Sequence, residues 1–473
     1  MKLFRSLLPI LLLAAGWYPE ERIWWSPKGD RALVLLADGL HLTNGDGRLG
    51  EVLNDPADPK NVSIKSAHWL SSGEAFVALR TQRVSSWEDV RARIPATEIR
   101  EIEVSLPLVA PLMDTAAQLG SDPGVLDALT GRLTERQATR LANAVRLMFE
   151  REPERVERLL LALPKGIDWV ASLRDSSTGY EINELCQYTL EAGRVIRVQS
   201  LRRSLLRPAT HPRVSPRQSA VACLVAGDRA GNLNLQVLHL QDGTVRTVAQ
   251  KVSEAFDWTP DGRSLVFLAP LGGEGEKLQS LHRIEVLDEN GETTSSSQPQ
   301  TPATALVLNR PALQVLSDGR VVFASLPVTL PATEPNAEFV PRLFLADGIR
   351  VKPVPTAPGD LPTNLGWFVA SPDGRHVAVV ESETDAVAVV ELATGATRIL
   401  SPAHPGWQCR TLPSWRSSEE LSYAALTDQV PSLLLWRIDD GTRRLSTDWT
   451  AESTAAWLEY QKDEVSSPPA KQP

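Results

Sequence analysis

The sequence predicts an all-β protein with one helical insertion. Its fold class is a seven-bladed β-propeller of four-stranded blades, with eight blades as the alternative. Two series of turns predict this, and so does their spacing. The two series alternate along the 473 residues, and each turn is flanked by apolar β-forming runs. The intervals Pro216 to Pro260 and Pro372 to Ser417 approach the roughly 40–45 residues of one four-stranded blade.

The first series is clearest in "WTPDGRSLVFLA", Trp258 to Ala269. Proline presets position i+1 of a type I turn, Asp suits the next position, and Gly tolerates the exit conformation. The other copies are Ser26-Pro27-Lys28-Gly29, Leu70-Ser71-Ser72-Gly73, Ser215-Pro216-Arg217-Gln218, Leu316-Ser317-Asp318-Gly319, Ser371-Pro372-Asp373-Gly374 and Arg416-Ser417-Ser418-Glu419. An apolar run such as Leu33-Val34-Leu35 or Val377-Ala378-Val379 follows each one. The second series is Asn44-Gly45, Ala192-Gly193, Asp242-Gly243, Asn290-Gly291, Asp347-Gly348, Thr394-Gly395 and Asp440-Gly441. Asx-Gly between two β-rich runs signals a hairpin. Two alternating series therefore give four strands per repeat. A four-stranded blade has two apolar faces, which only neighbouring blades can cover. Trp25, Trp69, Trp258 and Trp415, just before their turns, are expected to fill the space between blades.

Along the chain, residues 1–16 read as a signal peptide or short N-terminal anchor. Lys2 and Arg5 precede the apolar run Leu7 to Ala15, and cleavage after Gly16 fits the small residues there. The run is too short to cross about 30 Å of hydrocarbon. Trp17 stands where a lipoprotein would carry its lipidated cysteine. The propeller spans 17–447, with blade one from about Glu21 to Leu53 and blade seven from about Trp407 to Thr447. Each end has four strands of its own, so closure is expected by packing of blade one on blade seven, without a shared strand. The tail 448–473 is expected to cover that seam with Trp449 and Trp457, and to be disordered after about 460.

Blade two is interrupted at 84–177. Within that insertion "EIREIEVSL" (Glu98 to Leu106) and "IDWVASL" from Ile167 read as extra strands. Helical signals lie between them: Asp122 with Pro123, the capping box Thr134 to Gln137, and the run Glu154 to Leu163. One helical face carries Arg136, Arg140, Arg151, Arg155 and Arg158, the candidate partner-binding residues. A planar guanidinium holds carboxylates bidentately, and a solvated helical face is the plainer alternative.

Trp-Ser-Pro-Asp-Gly-Arg followed by apolar β residues resembles the TolB-type, WD40-like propeller repeat. The resemblance covers most of the chain and implies the fold rather than an activity, because the motif residues build turns. It implies kinship with a periplasmic Tol-Pal component, with the propeller lids of prolyl-oligopeptidase-like peptidases, and with other exported propellers. The chain departs from the first in that Trp24 already belongs to blade one. It departs from the second in having no Gly-x-Ser-x-Gly.

Charge and composition narrow the function. A formal net charge of -9 argues against nucleic-acid binding. Cys186, Cys223 and Cys409 are too few and too scattered for a disulfide framework or a CxxC metal site. The seven histidines are scattered, each read as a surface or inter-blade residue, and the pairs Asp439-Asp440 and Glu419-Glu420 as exposed turns. No catalytic residue, cofactor or metal follows from the sequence. The reading is an exported, periplasmic or envelope-associated monomer: a non-enzymatic scaffold that binds an envelope protein partner, with no membrane span beyond the possible anchor. The alternatives are a lyase- or glycosidase-type propeller enzyme acting in the central channel, and an anchored sensor domain.

Overall fold

In the computed structural model the described residues are 21–445 and 458–460. They exclude 105–179 and the shorter stretches 37, 46–47, 54–61, 206–211, 227–232, 272–277, 288–299, 307–311, 327–341, 349, 357–364, 382–385, 403, 405–406, 410, 428–429, 440 and 442. Among them are seven four-stranded antiparallel sheets, each built from four consecutive strands. These are the blades of a seven-bladed β-propeller: Ile23–Val52, Val62–Ser204, Arg213–Val252, Phe256–Leu306, Leu313–Pro353, Leu365–Ser401 and Ser414–Leu445. Two compact units divide them. Met1–Trp17 with Asn54–Leu306 holds blades two to four, and Tyr18–Leu53 with Val307–Pro473 holds blades one, five, six and seven.

The local chemistry of the turn explains its repetition. In blade four the N–H of Gly262 donates to the carbonyl of Thr259 (2.8 Å), and Thr259 N–H donates to Ser264 O (2.9 Å). The same pair of bonds recurs at Ser26, Leu70, Ser215 and Ser371. Asp261 accepts from the Thr259 hydroxyl (2.5 Å) and from the Arg263 N–H (3.1 Å). Burial alone would raise its pKa, but these two bonds outweigh burial and hold it below the usual carboxylate range. Asp373 repeats the arrangement with Ser371 and Arg375.

The fourth turn position is left-handed, at φ +65° for Gly262. It also lies against the preceding blade. A Cβ on Gly262 would stand 2.8 Å from Ser215 Oγ and 2.9 Å from the Arg217 amide nitrogen. Neighbouring turns are tied as well. Ser215 Oγ donates to Gly262 O (3.0 Å) and Arg217 Nε to Asp261 O (2.7 Å). In the other unit Arg416 Nε donates to Gly29 O (2.8 Å), and its guanidinium lies 5.2 Å from the Trp25 ring centre.

Three of the four indoles before the turns, those of Trp25, Trp258 and Trp415, bridge blades as expected. Trp258 Nε1 donates to Arg213 O of blade three (3.0 Å), and Trp415 Nε1 to Val369 O of blade six (2.9 Å). Trp25 Nε1 reaches Ser422 Oγ of blade seven (3.0 Å). Trp69 is buried with its ring edge-on to Phe76. Apolar seams fill the rest: Leu235, Val237, Phe256, Leu265 and Phe267 between blades three and four, and Leu316, Val322, Val377 and Val379 between blades five and six.

Blade one packs on blade seven through Ile23, Ala32 and Val34 against Trp415, Leu421 and Tyr423. Among the described residues no strand is shared between them, as the sequence predicts. Blade seven itself begins later than predicted, at Ser414. Trp407–Cys409 instead pairs antiparallel with Leu458–Tyr460 of the tail, in a separate two-stranded sheet. Pro413, directly before Ser414, lacks an N–H and breaks the ladder there. Trp449, Trp457 and the residues after 460 lie outside the described residues, as do 1–20.

Candidate functional site

Blade two departs from the repeat. Its last three strands, Ala75–Val84, Tyr180–Glu191 and Arg194–Ser204, run 10, 12 and 11 residues. The strands of the other blades run from two to eight. At about 3.4 Å per residue this adds roughly 10 Å to the sheet. Val84 pairs with Tyr180, so the insertion leaves and rejoins the blade at the tip of this extension.

These long strands bury charged side chains. Arg80, Glu184 and Arg203 form one cross-strand row. Arg80 Nε and Nη2 both lie 2.7 Å from Glu184 Oε2, and Arg203 Nε donates to Oε1 at 2.6 Å. Arg80 Nη1 also donates to the Tyr188 hydroxyl (3.2 Å). Glu184 is wholly buried and Arg80 nearly so. Burial alone would push the Glu184 carboxyl up. The Ser200 hydroxyl, the Arg80 charge and the Arg203 guanidinium outweigh it and hold the group ionised, below its usual range. Two guanidinium groups against one carboxylate leave an excess positive charge, and the Arg203 side chain is about a third exposed (34%).

The start of the insertion folds back onto this end. Ser86 caps the helix Trp87–Arg93: its hydroxyl accepts the Asp89 N–H (3.0 Å) and donates to the Asp89 carboxylate (2.7 Å). Glu88 and Asp89 in the first turn and Arg91 and Arg93 in the last suit the helix dipole. Residues 96–104 are helical too, which corrects the strand expected from Glu98. Pro95 suits the opening of that helix. Ile99 and Ile102, three apart, bury against Val84, Val90, Ile182 and Leu205. Val104, which strand alternation would have buried with Ile102, is 71% exposed. Helical spacing wins because only it places both isoleucines against blade two. Glu98 Oε1 then closes the outer strand by accepting from Ser204 Oγ (2.9 Å) and from the Leu205 N–H (2.8 Å).

A cleft of about 540 Å³ lies where this helical stretch, the outer strand of blade two and blade three converge. Arg93, Arg202 and Arg203 line it with Glu98, Glu101 and Gln236. Arg93 Nη1 donates to Gln82 Oε1 (2.8 Å) and Arg202 Nη1 to Gln236 Oε1 (2.9 Å). Among the described residues neither has a carboxylate within ion-pair distance. Such guanidinium groups, oriented by neutral amides, suit a carboxylate brought in from outside.

Arg136, Arg140, Arg151, Arg155 and Arg158 lie outside the described residues, as do the expected strand at Ile167 and the helices at Asp122, Thr134 and Glu154. The arginines of the cleft are different ones. The Ser85-Ser86-x-x-Asp89 cap was a legible signal for the helix that carries Arg93. Nothing in the sequence brings Arg93 to Arg202, because their meeting depends on the fold-back. Among the described residues no three His, Cys, Asp or Glu side chains gather as a metal site. Cys186 and Cys223 are free and buried, and burial pushes both thiols up. His282 stacks on Phe267 at the seam of blades three and four, with Ser280 Oγ 2.6 Å from its Nε2, and burial lowers its pKa. His376 lies beside Trp415 between blades six and seven.

Fold and turn geometry together define a seven-bladed β-propeller of four-stranded blades. No protein-family model matches the sequence, and no curated protein matches it. Among solved structures the chain is similar to TolB from Acinetobacter baumannii, with 18% identity over 55% of this chain and 58% of that one, and a TM-score of 0.35. It is similar to the Myceliophteria thermophila Swd1 β-propeller domain, with 10% identity over 91% and 97% and a TM-score of 0.44. A puromycin hydrolase is also similar, with 16% identity over 56% of this chain and 43% of that one, and a TM-score of 0.38. The chain thus spans little more than half of that TolB and under half of that hydrolase. The seven-blade assignment rests on the sheets themselves.

Proposed function

We propose that this chain is a non-enzymatic binding propeller of the cell envelope that mediates protein–protein interaction. The observation that carries this reading is the arginine-lined cleft at the one extended blade end among the described residues. The repeat residues are consumed in turns and seams, whereas the cleft side chains are prescribed by no repeat. The cleft is open, polar and hydrogen-bonded at its walls, which suits a protein surface. The positively charged start and apolar run of residues 1–16 support export, so the partner is an envelope protein.

The test is co-purification. A tagged full chain is compared with one in which residues 105–165 are replaced by a short Gly-Ser linker, which spares the buried Ile102. Circular dichroism checks that both are folded. The expected result is a folded propeller that loses the partner recovered by the full chain. A folded, truncated protein that recovers every partner at full yield removes the insertion-side docking reading.

A further inference from the structure

The outer strand of blade two, Arg194–Ser204, carries four arginines and no acidic residue in its 11 positions. It is the terminal strand of its sheet and the longest outer strand among the described blades. Its end, Ser200 to Arg203, forms one wall of the cleft. A long sheet edge presents backbone N–H and C=O groups to any extended chain. Arginines along such an edge refuse a second basic edge and accept an acidic one.

Glu98 and Glu101 also line the cleft, against the three arginines Arg93, Arg202 and Arg203. Glu98 is committed to Ser204 and Leu205. Arg93 and Arg202 donate to the amide oxygens of Gln82 and Gln236, and Arg203 shares the Glu184 carboxylate with Arg80. Arg197 donates to Gln199 (3.3 Å), again a neutral partner.

We propose that an acidic peptide segment of the partner binds in extended form along this edge as a fifth strand of blade two, with a carboxylate seated in the cleft between Arg93 and Arg202. Strand addition supplies the main-chain bonds, and the arginines select the charge. This rests on the interaction reading above and names the chemistry of what is bound.

A fluorescein-labelled ten-residue peptide of alternating valine and glutamate serves as the probe, with fluorescence anisotropy as the readout on the full chain. Alternation places all glutamates on one face of a strand. The peptide is expected to bind, the matching valine–lysine peptide not to bind, and added salt to weaken binding. The double variant Arg93→Ala/Arg202→Ala is expected to lose at least tenfold in affinity. Arg202→Lys, which keeps the charge and the fold, is expected to lose severalfold because the planar fork is gone. A probe N-methylated on alternate amides cannot pair along an edge and is expected not to bind. Equal binding of both charges, an unchanged double variant, or full binding of the N-methylated probe each overturns the proposal. So does absence of binding by the valine–glutamate peptide. If the arginine variants then self-associate in ultracentrifugation, the arginines serve only to keep the edge from pairing. Failure of the peptide while the full chain still recovers its partner removes the acidic-strand inference and leaves the interaction reading standing.

Discussion

The seam between blades three and four and the far end of blade two solve the same problem with opposite chemistry. The seam is apolar and periodic, with Phe256, Leu265, Phe267 and Val237 buried and a turn, an indole and a serine tying one blade to the next. The end of blade two buries Arg80, Gln82, Asn183 and Glu184 instead. Burial of apolar surface stabilises almost any neighbour of suitable shape. Buried charge demands one particular partner and punishes its loss. The apolar seam accepts any side chains that fill its shape, whereas the Arg80–Glu184–Arg203 row fixes one arrangement of charge across its three strands.

Removing one anchor from each region is expected to give the largest effects. Glu184→Ala leaves the Arg80 guanidinium buried without its carboxylate and is expected to cost about 3–5 kcal/mol. Trp258→Ala removes an indole from the seam and is expected to cost about as much, ~3–5 kcal/mol. Urea unfolding measures both. The regions differ in the rescue: Trp258→Phe should recover most of the seam, whereas Glu184→Gln, isosteric but uncharged, should recover little. Equal rescue at both sites would mean that the blade two row behaves as ordinary packing.

A smaller effect separates the turn from its neighbour. Gly319 and Gly262 both have positive φ, but a Cβ on Gly319 would meet nothing within 4 Å. Gly319→Ala should cost only the left-handed penalty, about 1–2 kcal/mol. Gly262→Ala should cost more, because Ser215 and Arg217 of the preceding blade must also move. The difference between the two midpoints measures how tightly adjacent turns are pressed together.

The smallest effect concerns the link from blade three to blade four. Burial pushes the Glu254 carboxyl up to about 7. The folded state then holds a proton that the unfolded state releases at its ordinary value near 4.5. The contribution of Glu254 to stability is therefore full below pH 4.5 and is lost as pH rises through 7. Glu254→Gln is expected to raise the melting temperature at pH 8 and to leave it unchanged at pH 4. A gain of the same size at both pH values would show that charge burial is not the cause.

Although it left eight blades as an alternative to the seven that the sheets form, local sequence chemistry specified the turns and the seats of Trp25, Trp258 and Trp415 between blades. These follow from chemistry within a few residues: proline at i+1, a side chain bonding two residues on, glycine at positive φ. Such signals survive in degraded copies like Leu70 to Gly73 because each needs only its own neighbours. The start of blade seven was legible only in part, since the pairing of Trp407–Cys409 with Leu458–Tyr460 is made by segments about fifty residues apart. The stretch from Glu98 carried both a strand and a helix pattern. Tertiary contact with Ile182 and Leu205 chose between them. The cleft arises from long-range packing. Arg93 comes from a capped helix, Arg202 from an outer strand and Gln236 from the next blade, and no local rule relates residues so far apart in the chain. They meet because the apolar face of the helix at Val90 had to be buried, and the extended strands of blade two were the surface that could bury it.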